Sequence, residues 1–387
     1  MEAAQPTQAD RRVFPSIRWR RIFSESPIAG PLVSWIAIII FFSIFVPNFA
    51  FTDDGFTWRS FTGILNASVL AGTVAIGVTM LMIAGEFDLS VGPLMAMGGY
   101  LYANVSQGRL HGNIPLAGPM PVLALVLAIL VPTFFGMLNG MLVIGTKIPS
   151  FIVTLGTRSI YRGMVWIYSL GLFVEAADRT LVYDIFNSRI DDLLNRLFGT
   201  AINFPRGADF RTAMIWVFLL VLLFEYLLMR TRYGNHVFAT GGNRDAAAAQ
   251  GVKVKQVKVI NFALSGACAG FAGVLLFSQF TRVQVATGGG FELTAIAAAV
   301  VGGTLLAGGS GRIWGALIGV LLISTLRTGV ILMGPGIQDA MASLQPVLGD
   351  FLTNFVVGFT KPDNFEAIVG ITIVAAAILN NWLRNRA

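Results

Sequence analysis

An all-α, polytopic membrane helix bundle of about ten spans is the fold class that this sequence of 387 residues predicts, and three features predict it. Hydrophobic residues make up 55% of the chain and charged residues only 12%, about half the charged share of an ordinary soluble domain. The apolar residues gather in runs of roughly 20, the length that crosses ~30 Å of hydrocarbon as a helix. Most cations fall between those runs, and the connecting segments are alternately rich and poor in them.

Taken in order, residues 1–29 form a basic segment containing Arg11, Arg12, Arg18, Arg20 and Arg21. The apolar run behind it lacks a small-residue cleavage site, so it reads as an uncleaved anchor. Residues 30–387 then read as one transmembrane domain. Spans are expected near 31–46, 64–84, 91–105, 120–144, 150–170, 212–229, 259–280, 293–307, 314–333 and 367–383. An even count leaves both termini on one side. With the amino terminus inside, the inner segments hold fifteen Lys and Arg against nine outside, the asymmetry of a multi-pass membrane protein with both termini cytoplasmic. The net charge of +7 is then a matter of topology. Lipid is the expected partner of this surface and nucleic acid is not.

Two outer segments carry more than a loop needs. In 171–211, Leu181, Ile185, Phe186, Ile190, Leu193, Leu194 and Leu197 recur at helical spacing among Asp184, Asp191 and Asp192. In 336–364, Ile337, Met341, Leu344, Leu348, Phe351, Leu352 and Phe355 do the same. Each predicts an amphipathic helix, resting in the headgroup layer or offered to an external partner.

Glycines punctuate the spans. Gly136 with Gly140, Gly266 with Gly270, and Gly311, Gly315 and Gly319 stand four residues apart, a spacing that lets helix backbones approach closely in lipid. Ala84-Gly85 followed by Gly92 is echoed by Ala307-Gly308 followed by Gly315, a faint sign of two pseudo-symmetric halves.

Few residues invite chemistry. His111 and His236 lie far apart and Cys268 is alone, so no metal site or disulfide framework is expected and no cofactor is implied. Gly140 to Lys147 comes within one residue of a phosphate-binding loop. Its lysine, however, does not follow the second glycine directly, and the run ends a span instead of opening a helix. With no paired carboxylates or nucleophile motif either, a pathway for a solute is expected rather than an enzyme.

Three places remain. Asp88 and Ser90 interrupt apolar sequence before the span at 91–105, where they suit a capped turn or contact with a solute. Arg158 and Arg162 sit one helical turn apart inside a span, near Tyr161 and Trp166. They must pair with acids such as Glu86 or Asp88, snorkel, or line a path, where arginine and aromatic faces suit a polyhydroxylated solute. Within the inner segment 230–258, Gly241-Gly242-Asn243-Arg244-Asp245-Ala246 through Gly251 predicts a short exposed helix capped at Asn243 and closed by Gly251. Bilayer physics does not call for such a helix, which points to a docking surface for a cytoplasmic partner.

These residues resemble those of a known family, the permease subunits of bacterial ATP-binding-cassette importers of the ribose, xylose, arabinose and galactose type. Gly85-Glu86-Phe87-Asp88-Leu89-Ser90-Val91-Gly92 is similar to the family's Gly-Gly-Ile-Asp-Leu-Ser-Val-Gly. Pro149 to Thr157 with Tyr161-Arg162-Gly163, Tyr233 to Gly251, and Glu292 to Ala298 continuing through Gly302-Gly303-Thr304 and Gly308-Gly309 resemble three further blocks. Together they span roughly residues 60 to 335 in order.

The resemblance implies the importer permease fold, a second permease copy or paralogue, a cytoplasmic ATPase and a periplasmic solute-binding protein delivering a sugar or sugar alcohol. It assigns coupling to the ATPase to Gly241, Gly242, Asn243, Arg244, Asp245, Ala246 and Gly251. Glu86, Arg158 and the stretch near 336–364 depart from the family pattern, which leaves the solute open. Nucleosides, branched-chain amino acids or a signalling furanone fit the same architecture. A free-standing channel or proton-coupled carrier would instead use Glu86, Asp88 and Glu225 as its relay.

Overall fold

A computed structural model describes residues 28–358 apart from 53–54, 112–113, 177–180, 200–203 and 206, together with isolated positions between 361 and 374. Most of the basic segment 1–29 and most of the span expected at 367–383 lie outside the described residues. The chain runs through α1 (Ala29–Phe45), α2 (Arg59–Ile83), α3 (Val91–Ser106), α4 (Pro121–Thr146), α5 (Ser150–Ser169), α6 (Leu181–Asn187) and α7 (Ile190–Phe198). It continues through α8 (Thr212–Arg230), α9 (Arg232–Gly242), α10 (Arg244–Ala249), α11 (Val254–Phe280), α12 (Phe291–Val301) and α13 (Ile313–Gly358). Among the described residues, α2, α4, α8, α11 and the first 33 residues of α13 are long and apolar enough to cross a membrane.

The layering follows from how much of each helix is covered. In its most apolar stretch α2 is 83% buried and α11 67%, whereas α4 is 22% and α8 33%. The first two therefore lie at the centre and the last two face lipid. Helix α3 is central too, with Val91, Leu94, Met95, Tyr100, Tyr102 and Val105 all fully enclosed.

The glycine pairs explain how α11 reaches that position. A methyl group on Gly136 would collide with the Phe262 carbonyl, one on Gly266 with the Pro132 carbonyl, and one on Gly270 with the Ala128 carbonyl. The two four-residue pairs thus face one another across the α4–α11 crossing. Gly273 meets Met95 and Gly99 of α3, and Gly77 of α2 meets Ser265. Where lipid gives helices little reason to leave it, such short-range contact supplies the attraction.

Three expectations need correction. The span expected at 293–307 is only the 11-residue α12, about 17 Å of helix against ~30 Å of hydrocarbon. Residues 284–290 supply the rest by dipping into the bundle until Gly288 packs on Gly92 at the start of α3. The crossing is discontinuous, which membrane proteins tolerate where irregular backbone is enclosed by protein. The amphipathic run at 181–197 breaks into α6 and α7 because Ser188 and Arg189 pair with strand-like backbone: Ile190 N–H donates to Phe210 O at 2.9 Å and Thr212 N–H to Ser188 O at 2.9 Å. The helix expected at 337–355 does not stand alone: its first part continues the preceding span through Pro335 and Pro346, and the non-helical Gly349 (φ 75°, ψ 164°) breaks α13 into two helices there. A proline removes a single N–H and bends a helix without ending it.

Short antiparallel pairs tie the bundle's far end. Val174–Glu175 (β5, after the hairpins β1 Phe51–Thr52 with β2 Gly55–Phe56 and β3 Arg109–His111 with β4 Ile114–Pro115) pairs with Arg282–Val283 (β6), Val174 opposite Val283 and Glu175 opposite Arg282. This joins the end of α5 to the end of α11.

Gly266→Leu should lower the thermal midpoint of the solubilised chain by an amount equivalent to about 1–3 kcal/mol or prevent folding. Gly156→Leu, with nothing within 4 Å of an added Cβ, should leave it unchanged. Equal midpoints would refute the α4–α11 crossing.

Candidate functional site

The site has three parts, arranged from one end of the bundle toward its middle. At that end α8 turns into α9, with Thr231 Oγ1 accepting from the Gly234 N–H at 3.3 Å. Helix α10 follows at once. Asn243 caps it, its Oδ1 accepting from the Ala246 N–H at 3.0 Å, and Gly251, with φ +83°, closes it. Asn243, Arg244, Asp245, Ala246, Ala248 and Ala249 are exposed and only Ala247 is buried. Arg230, Arg232, Lys253 and Lys255 are exposed around it.

This exposed helix stands on a rigid base. A methyl group on Gly241 would collide with the Ile83 carbonyl and come within 2.7 Å of the Gly309 nitrogen, while Gly309 N–H donates to Ile83 O at 2.8 Å. Gly308 packs on Gly85, a Cβ on the former lying 2.9 Å from the latter's Cα, and their φ values are +82° and +81°. The two glycines that echo each other in sequence are therefore matching turns in direct contact, clasping Gly241 at the end of α9 just ahead of α10. Gly242, by contrast, has open space, its nearest neighbour 3.9 Å from an added Cβ.

Further in lies a fully buried polar network. Asp88 Oδ1 accepts from the Ser90 N–H at 2.8 Å and the Ser90 hydroxyl at 2.7 Å. Asn139 Nδ2 donates to Ser90 Oγ at 2.8 Å, and the Tyr161 hydroxyl donates to Asn139 Oδ1 at 2.8 Å. Ser265 Oγ sits 3.4 Å from Asp88 Oδ2. Ser90 thus donates to Asp88 rather than capping α3 with its side chain. Four elements, α3, α4, α5 and α11, meet through one carboxylate that has no ion-pair partner among the described residues. In hydrocarbon every such group must find its partners inside the protein.

The arginines of α5 do not pair with Glu86 or Asp88. Arg158 Nη2 reaches Glu292 Oε1 at 2.6 Å, and Arg162 donates to the carbonyls of Val285 and, at 2.8 Å, Thr287. Arg162 thus clamps the dipping segment before α12 and Arg158 the first turn of α12 itself. Arg158 keeps 42% of its side chain exposed, whereas Glu292 keeps 3%. Glu86 instead forms an ion pair with Lys258 of α11, both largely buried. Glu225 caps the start of α13, its Oε2 accepting from the Ile313 N–H at 3.0 Å. The three acids named for a proton relay therefore sit in separate structural positions.

Of the five residues expected along a path, Asp88, Ser90 and Tyr161 are buried in the network, Arg162 is half-buried on backbone carbonyls, and Arg158 is the most open to a solute. Sequence reading missed Asn139, Ser265 and Lys258 as partners. The signal for Asn139 was there, a lone amide within an apolar span. Lys258 reads in sequence only as one of the cations of the inner segment 230–258. Among the described residues no group of three His, Cys, Asp or Glu gathers to hold a metal ion.

A membrane bundle with a broken crossing, a polar seam and a capped helix raised from a basic end defines a polytopic transport protein. The chain matches the family described as branched-chain amino acid transport system, permease component, over residues 60–377, and it belongs to that family. It is 33% identical to the ribose import permease of Bacillus subtilis (strain 168), over 79% of this chain and 85% of that one. It is 32% identical to the D-allose transport system permease of Escherichia coli (strain K12), over 71% and 76%. With the autoinducer 2 import permease of Photorhabdus luminescens it shares 29% identity over 78% and 80%. No solved structure matches it. The chain is accordingly a multi-pass transport subunit of the sugar-importer type and not an enzyme.

Asn139→Leu removes the donor to Ser90 Oγ and one acceptor of the Tyr161 hydroxyl, leaving that hydroxyl only the Phe135 carbonyl at 3.1 Å, and a loss of about 1–3 kcal/mol is expected. The readout is the thermal midpoint in detergent, with the exposed Thr146→Val as control. A midpoint unchanged from wild type would show that the network does not bind the four helices.

Proposed function

We propose that this chain carries a ribose-class sugar across the bacterial inner membrane, working with a cytoplasmic ATPase, a second permease copy or paralogue, and a periplasmic binding protein. The observation that carries this reading is the likeness to a ribose import permease along 79% of this chain and 85% of the relative. The exposed, capped α10 supports the ATPase as partner, since it presents Asn243 to Ala246 on a base held rigid at Gly241. Arg230, Arg232, Arg244, Lys253 and Lys255 at the same end support a cytoplasmic placement for it, with both termini on that side.

In this scheme phosphoryl chemistry belongs to the ATPase, which closes on ATP and displaces α10. Gly241 passes the displacement to the matched turns at Gly85 and Gly308. The exposed side of α5, with the half-exposed Arg158, forms this chain's wall of the path, and Asp88, Ser90 and Tyr161 hold that helix in place from behind. The insertions at 171–211 and 336–364 lie on the periplasmic side. A furanone solute is the second reading, favoured by the autoinducer 2 relative; calorimetric titration of the binding protein with D-ribose and with autoinducer 2 separates the two.

Gly242→Trp and Asp245→Trp place bulk on exposed backbone without touching the core, so membrane insertion should persist while uptake of radiolabelled D-ribose falls about tenfold or more. Uptake that survives both changes removes the coupling role from α10. An Asp245→Cys variant should react with a membrane-impermeant thiol reagent only in inverted vesicles. Reaction in intact cells would reverse the orientation.

A further inference from the structure

Glu86 is a charged residue in the turn between two apolar helices, and it is nearly buried against Lys258. A charge so placed in an apolar bundle is held by a specific partner and serves little purpose as solvated surface. What surrounds the pair gives it a direction. Lys258 lies in the second turn of α11, nine residues after the end of α10. Glu86 lies beside Gly85, which touches Gly241, at the end of α9 and three residues before α10, at 3.6 Å from an added Cβ. The turn at 84–90 is thus gripped from both sides of the coupling helix, by backbone contact ahead of it and by an ion pair behind it.

The same turn holds the start of α5. The Phe87 N–H donates to Ser150 Oγ at 3.0 Å, and Thr154 Oγ1 lies 3.4 Å from the Phe87 carbonyl. Glu86 and Phe87 are adjacent, so a load applied at Lys258 reaches α5 across one peptide bond. Glu225, Arg312 and Glu292 take part in other pairs, and Asp88 is bonded to Ser90. No other ion pair among the described residues joins α11 to this turn.

We infer that the Glu86–Lys258 pair is a positioning linkage that transmits movement of the α10–α11 segment to α5, so that ATP binding by the partner moves the path wall. The inference rests on the proposed contact between α10 and the ATPase. It requires charge on both residues and proximity, not the identity of either. Exchange of the two charges therefore preserves it, while neutralising one side removes it and leaves the other charge without its partner.

The test uses the full complex of this chain with its ATPase and binding protein in liposomes. Cys268 is the chain's single cysteine and is buried, so a cysteine introduced at the exposed Ile152 or Ile160 of α5 reports alone. Maleimide reactivity at these positions is compared with and without ATP and vanadate, alongside basal ATP hydrolysis. In the parent the nucleotide should change reactivity several-fold. Glu86→Gln and Lys258→Met should each abolish that change while ATP hydrolysis persists within about twofold, and Glu86→Lys combined with Lys258→Glu should restore it.

A pair that merely stabilised the fold would lower assembly and hydrolysis together and leave the nucleotide response of the assembled fraction intact. That outcome overturns the inference, as does a parent whose α5 does not respond, or single variants that respond normally. If the single variants fail to assemble, Glu86→Asp with Lys258→Arg replaces them, and a response differing from the parent by less than about twofold supports the linkage, while loss of response overturns it. Cross-linking from Asp245→Cys to the ATPase is scored in parallel. Its absence refutes the contact at α10, and its presence with normal variant responses refutes the linkage alone.

Discussion

Lipid gives a helix no hydrophobic reason to prefer another helix, so a bundle of this kind is held by contact at short range, and glycine brings backbones into that range. Helix α11 shows how far the rest depends on it. It meets α4 at Gly266 and Gly270, α3 at Gly273 and α2 opposite Gly77, and no other residue type would allow such approach. Because α11 sits this close to three neighbours, Ser265 comes within reach of Asp88 and Lys258 within reach of Glu86. Removing the glycine contacts would lose the polar ones as well.

The second constraint is the cost of a polar group left alone in hydrocarbon. It explains why the polar residues around Asp88 and along α5 occur as connected sets. Asp88 leads through Ser90 and Asn139 to Tyr161, and so binds four helices. Arg162 satisfies the irregular backbone of the dipping segment, which would otherwise present unpaired carbonyls to the bundle, and Arg158 satisfies Glu292 in the first turn of α12. The broken crossing and the arginines of α5 are therefore one arrangement. Sequence alone presents them as two unrelated oddities, a short span and a pair of misplaced cations.

The same logic divides the molecule into a part that is sealed and a part that is presented. The polar network and the α11 crossings are enclosed, while α10 is raised from the end of the bundle with almost nothing covering it. A helix that exposed is stable only because its ends are closed by Asn243 and Gly251 and its base is fixed at Gly241. Rigidity at the base and exposure at the tip are what a surface needs if it is to receive force and pass it inward.

By itself the sequence determined the helical class, the crossings at 64–84, 120–144, 212–229, 259–280 and 314–333, the capped helix at α10 and the close crossings at the spaced glycines. Each of these depends on residues near one another in the chain: apolar run length, a cap three residues from the N–H it accepts from, glycines one turn apart. It also held, in its faint echo, the two turns at Gly85 and Gly308. Tertiary structure alone decided that those turns touch, that Glu292 rather than Glu86 or Asp88 receives Arg158, that Lys258 receives Glu86, and that the crossing before α13 is half helix and half loop. In lipid a buried charge must have a partner, but which partner depends on helices that lie dozens to more than a hundred residues away, and local pattern carries no record of that distance.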